Sequence, residues 1–96
     1  MPKGYLVANI RVTNAEKFQA FAGMAAPAIK KYGGKVLARG PSADRHEGEL
    51  SGTVMMIEFE SKKAAEIFYF SEEYQAAKAV REACSETDLM IIEGAE

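Results

Sequence analysis

The stretch whose reading decides the fold is Tyr32–Gly40, YGGKVLARG. Gly33-Gly34 closes the helix before it, because glycine takes the left-handed conformation of a helix C-terminal cap without steric penalty. Lys35 to about Gly40 then reads as a strand. Arg39 is its unexpected residue, since a guanidinium directed into an apolar setting needs a carboxylate, an anion or water.

Working backwards from Gly33, residues Phe18, Phe21, Ala22, Ala25, Ile29 and Tyr32 recur at helical spacing. Thr13 and Glu16 have the separation of a capping box at the start of that helix. Pro27 is expected to kink or restart it, because proline lacks the N–H and crowds the preceding turn. Before it, Leu6, Ala8, Ile10 and Val12 alternate with Tyr5, Val7, Asn9 and Arg11, the period of two that marks a strand.

Working forwards, a turn is expected at GPSAD (40–44), a strand continuation over Arg45–Glu47, and a loop at GELSG (48–52). TVMMIEFE (53–60) is the plainest strand, β-branched and apolar. Ser61 is placed to cap a helix expected to bury Ala64, Ala65, Ile67 and Phe68, and Ser71 to cap again ahead of Glu72 and Glu73. TDLMIIEG (87–94) closes the chain as a strand. Strand, helix, strand, strand, helix, strand in an α+β chain is the ferredoxin-like βαββαβ arrangement, a four-stranded antiparallel sheet with its helices on one face.

Alternation then assigns the two sheet faces. Leu6, Ala8, Ile10, Met55, Ile57 and Phe59 are expected under the helices. Tyr5, Val7, Asn9, Leu37, Arg39, Val54, Met56 and Glu58 fall on the opposite side, which is too apolar to be left in water. A second copy stacked sheet against sheet with two-fold symmetry is the simplest cover, giving a homodimer with a cavity between the sheets. Arg39 would point into that cavity, and Glu58 is the carboxylate expected to meet it.

The bulk properties narrow the function class. Ninety-six residues make one domain, 1–96, with a thin core. Hydrophobic residues at 48% and charged residues at 27% indicate an ordinary globular protein, and a net charge of −2 gives no footprint for nucleic acid or an anionic membrane. The single cysteine, Cys84, excludes an internal disulfide framework and reads as a buried thiol in a reducing compartment. MPKGYLVANIRV does not have the pattern of a signal peptide, and no apolar run reaches membrane-spanning length, so a cytoplasmic setting is expected.

Three residues are candidates for catalysis. Arg39 could fix a carboxylate or enolate with its bidentate fork, Glu58 could move a proton if desolvated, and His46 is the lone imidazole. His46 sits in the polar run ADRHEGE, and without Cys or His partners it makes no metal site. Tyr5, Asn9, Met56, Tyr74 and Arg81 are candidate ligand-binding residues. No phosphate-cradling loop, nucleophilic triad or cofactor motif is present, so no cofactor is expected.

YGGKVLARG, HEG, IEFES, SEEYQAAKAVR and IIEG, in that order, resemble the short bacterial domain-of-unknown-function family 1330 over nearly the whole chain. Gly34, Arg39, Gly40, Glu58, Tyr74, Gln75, Arg81 and Glu93 match its recurring pattern. The resemblance implies a dimeric α+β barrel, whose wider superfamily includes cofactor-independent monooxygenases, haem-degrading enzymes, isomerases and small ligand-sensing domains. Two functions follow as expectations: a homodimeric small-molecule-binding protein or cofactor-independent enzyme acting on a small apolar or anionic compound in the cavity between the two sheets, or a non-catalytic ligand-binding or assembly module.

Overall fold

The computed structural model describes residues 2–40 and 43–95. The chain runs β1 (Gly4–Val12), α1 (Ala15–Lys31), β2 (Lys35–Gly40), β3 (Thr53–Phe59), α2 (Lys62–Tyr69), α3 (Glu72–Cys84) and β4 (Ser85–Glu93). All strand pairs are antiparallel, in the order β2-β3-β1-β4. The three helices cover one face of this ferredoxin-like sheet.

Local chemistry accounts for most element boundaries. Asn14, not Thr13, caps α1: its Oδ1 accepts from the Lys17 N–H at 3.0 Å. The expected Thr13–Glu16 box is displaced because the N–H groups of Thr13 and Asn14 both donate to the Cys84 carbonyl, which ties the start of α1 to the end of α3. At the other end, Gly33 adopts φ +78°. Its N–H donates to Lys30 and that of Gly34 to Ile29, the paired reverse bonds that close a helix around a left-handed residue.

Helix α1 runs through Pro27 without the restart that is one of the two expectations there. Gly23, whose carbonyl loses a donor there, and Pro27 are both exposed, so water can serve that carbonyl. Ser71 divides the second helical segment in two. Its hydroxyl donates to the Phe68 carbonyl at 2.6 Å, ending α2, and accepts from the Tyr74 N–H at 3.1 Å, starting α3. The expected strand continuation over 45–47 does not form. That run is charged and lacks alternation, and Arg45 instead reaches the Gly52 carbonyl. Of the expected turn at GPSAD, Pro41 and Ser42 lie outside the described residues.

Leu6, Ala8, Ile10, Ile57 and Phe59 are buried under the helices as alternation requires. Phe68 anchors the core, its ring centroid 4.7 Å from that of Tyr74 and 5.1 Å from that of Phe59. Helix α2 packs on the centre of the sheet, whereas α1 makes its close approach to α3. That asymmetry leaves space between α1 and the β2–β3 side of the sheet.

One irregularity decides where the chemistry sits. Val36 pairs with Ile57, but Ala38 pairs with Met56 and Arg39 with Met55, so Leu37 is an inserted residue. A bulge of one residue reverses the parity of everything after it. Arg39 therefore shares the helix-side face with Met55, and the expectation that it lies on the open face beside Glu58 is corrected.

No helix among the described residues is long and apolar enough to cross a membrane.

Candidate functional site

Between α1 and the sheet lies a cavity of about 170 Å³. Its walls are Phe18, Phe21 and Ile29 of α1 together with Leu6, Met55 and Ile57 of the sheet. The alanines of α1, Ala22, Ala25 and Ala26, also face it and are too small to fill the space. The run AFAGMAAPA (20–28) is thus the sequence signal for the cavity. Among the lining residues only Arg39, Tyr74 and Arg81 carry polar side chains.

These three are held differently. Arg39 stands on the edge strand β2, exposed at the rim. Arg81 comes from α3 and is 5% exposed, an unusual position for a guanidinium. Its Nη1 donates to the Tyr74 hydroxyl in a short contact, and its guanidinium lies 5.8 Å from the centre of the Tyr74 ring. Its Nε is buried and meets no acceptor among the described residues. Burial pushes the Tyr74 phenol up, the Arg81 charge opposing it.

Among the described residues neither Arg39 nor Arg81 makes an ion pair. The cavity therefore combines an apolar wall with uncompensated positive charge. It can hold an anion, and Tyr74 carries its one hydroxyl.

The other sequence candidates lie elsewhere. Glu58 is on the open face, where it accepts from the Tyr5 hydroxyl at 3.1 Å, so its partner is Tyr5 and not Arg39. That hydrogen bond, with burial and the Glu58 charge, raises the Tyr5 pKa. Met56 lies across from Val7 on the same face. Asn9 is buried there and accepts from Arg45 at 3.1 Å, a partnership the sequence did not suggest. Arg11 donates to Asp88 at 2.8 Å nearby. His46 is exposed in the 43–52 connection. No group of three or more His, Cys, Asp or Glu among the described residues could hold a metal ion.

Comparison with known proteins fits this architecture. A family model described as a domain of unknown function, DUF1330, matches residues 3–95. No curated protein matches the chain. A protein of unknown function from Rhodopseudomonas palustris superposes with a TM-score of 0.76 at 18% identity, over 99% of this chain and 84% of that one. A dimeric ferredoxin-like protein of unknown function from Jannaschia gives 0.72 at 13%, over 98% and 99%. SnoaB, a cofactor-independent oxygenase from Streptomyces nogalater, gives 0.69 at 10%, over 100% and 96%. At these identities the likeness is one of fold.

Proposed function

The chain belongs to the DUF1330 family, and we propose that it is a homodimeric small-molecule-binding protein that takes a small apolar or anionic compound into the cavity between α1 and the sheet. The observation that carries this reading is Arg81, a guanidinium buried against an apolar cavity with its Nε unpaired. A buried charge without a partner costs several kcal/mol, a cost a protein tolerates where a ligand supplies the missing charge.

Dimerisation rests on the open sheet face. Tyr5, Val7, Met56, Met90 and Ile92 form its apolar part, with Met90 and Ile92 each more than half exposed. A two-fold stack of such faces would bury on the order of 1,600 Å². The Jannaschia neighbour, described as dimeric, supports the same reading. The lone buried Cys84 supports a cytoplasmic setting, and the 96 residues are taken as one domain.

A second reading, a cofactor-independent enzyme, is favoured by the Arg81–Tyr74 pair beside an apolar cavity, where an enolate or phenolate would be stabilised, and by the fold shared with an oxygenase. In it Arg39 and Arg81 hold the anion and Tyr74 moves the proton. Glu58 and His46 take no part in that reading.

Native mass spectrometry of gently purified protein tests the binding reading. The expected species is a dimer carrying a small molecule that dissociates on activation. A monomer without adduct, unable to take up any small apolar or acidic compound, would overturn it.

A further inference from the structure

Resting on the small-molecule reading, we infer that the cavity is selective for a monocarboxylate with a compact apolar body about the size of one aromatic ring, its carboxylate held at Arg81. Three observations fix the three parts of that description.

The charge follows from the donor set. Arg81 offers a buried Nε without an acceptor and an Nη1 already committed to the Tyr74 hydroxyl. With a small rotation of the side chain, an oxyanion in the cavity would give Nε its acceptor, with Tyr74 beside it as the fixed neighbour. Arg81 also borders a small polar recess lined by Glu82, Ser85 and Thr87, yet it forms no ion pair with Glu82. The cation's missing partner thus comes from outside the described residues.

The single negative charge follows from burial. One buried guanidinium balances one carboxylate, whereas a doubly charged phosphate would leave net negative charge in an apolar enclosure. Arg39 does not alter that count, since it sits exposed at the rim, where water screens it. Its place is to draw an anion to the mouth.

The body follows from volume and wall. Arg39, Met55, Ala8 and Leu89 form one row across the four strands, and all four line the cavity. Its 170 Å³ is close to the roughly 150 Å³ of an engineered apolar cavity that takes up benzene. A longer chain or fused rings would extend past the rim at Arg39 into solvent.

The test uses the wild-type protein, so no variant has to fold. Calorimetric titration with benzoate, benzamide and acetate is combined with nitrogen-15 NMR of the arginine Nε–H groups. Benzoate is expected to bind at least tenfold tighter than benzamide and acetate, and to shift the Arg81 Nε–H more than that of Arg11 or Arg45. Benzamide binding as tightly as benzoate would overturn the inference and leave the binding reading intact. Acetate matching benzoate would remove the apolar body, and a shift at Arg11 or Arg45 in place of Arg81 would remove the site. Failure of all three probes, with no adduct in the native mass spectrum, would overturn the binding reading and the inference together.

Discussion

The two faces of the sheet carry similar side chains and treat charge in opposite ways. On the open face every polar candidate has a neighbour: Tyr5 with Glu58, Asn9 with Arg45, Arg11 with Asp88. On the helix face Arg39 and Arg81 border an apolar cavity that no carboxylate lines. Charges balanced within the fold hold it together, and charges left unbalanced beside an apolar cavity are available to a ligand. The difference divides the candidate residues into a structural group and a binding group.

Several substitutions would break or sharpen that division. The largest effect is expected in the helix-side core, where Phe68→Ala should cost about 3–5 kcal/mol in a urea unfolding titration, because it removes the ring that joins Phe59, Tyr32 and Tyr74. A cost under about 1 kcal/mol would mean the core does not centre on that ring. On the open face, Val7→Asp should weaken the dimer by roughly 3 kcal/mol, over a hundredfold, since each subunit would bury an unpaired charge. Sedimentation velocity should then find monomers at micromolar protein, and an undisturbed dimer would move the interface elsewhere.

The same replacement should have opposite signs on the two faces. Arg81→Met combined with Tyr74→Phe removes an unbalanced buried cation and the hydroxyl it satisfies, so the ligand-free protein should gain about 1 kcal/mol or more in stability. Arg11→Met removes two partly exposed ion pairs, to Glu86 and Asp88, and should cost under about 1 kcal/mol. A destabilised double variant would put Arg81 in the structural group.

The smallest effect concerns pH. Glu73, at the start of α3, accepts from Lys31 and Tyr32 at the end of α1. The Lys31 ammonium holds its carboxyl down at about 2, against an ordinary 4.5, with its own backbone N–H and the Tyr32 hydroxyl assisting. A lowered folded-state pKa means the contribution is complete above 4.5 and is lost as pH falls toward 2. Stability should therefore drop slightly across that window, and Glu73→Gln should remove that part of the slope. An unchanged slope in the variant would show that the link between α1 and α3 does not depend on this carboxylate.

Most of the fold was legible because its signals are local. Gly33-Gly34, the serine caps at 61 and 71, and the alternation of β1 and β3 each specify their own element. The face of Arg39 was not legible. Val36, Leu37 and Ala38 are all apolar, so an extra residue among them leaves the pattern unchanged while turning the guanidinium to the other side. Pairing Arg39 with Glu58 followed from that hidden parity. Arg81 and Tyr74 were legible as residues and not as a pair, because seven positions along a helix is two turns and any such pair shares a face. The cavity escaped notice since a run of alanines reads equally as close packing or as room.

The direct measurement is a crystal structure of the protein grown with benzoate. The account predicts a carboxylate oxygen about 3 Å from the Arg81 Nε, with the ring among Phe18, Phe21 and Met55. An Arg81 turned into the recess and paired with Glu82, over a cavity closed by its own side chains, would contradict it.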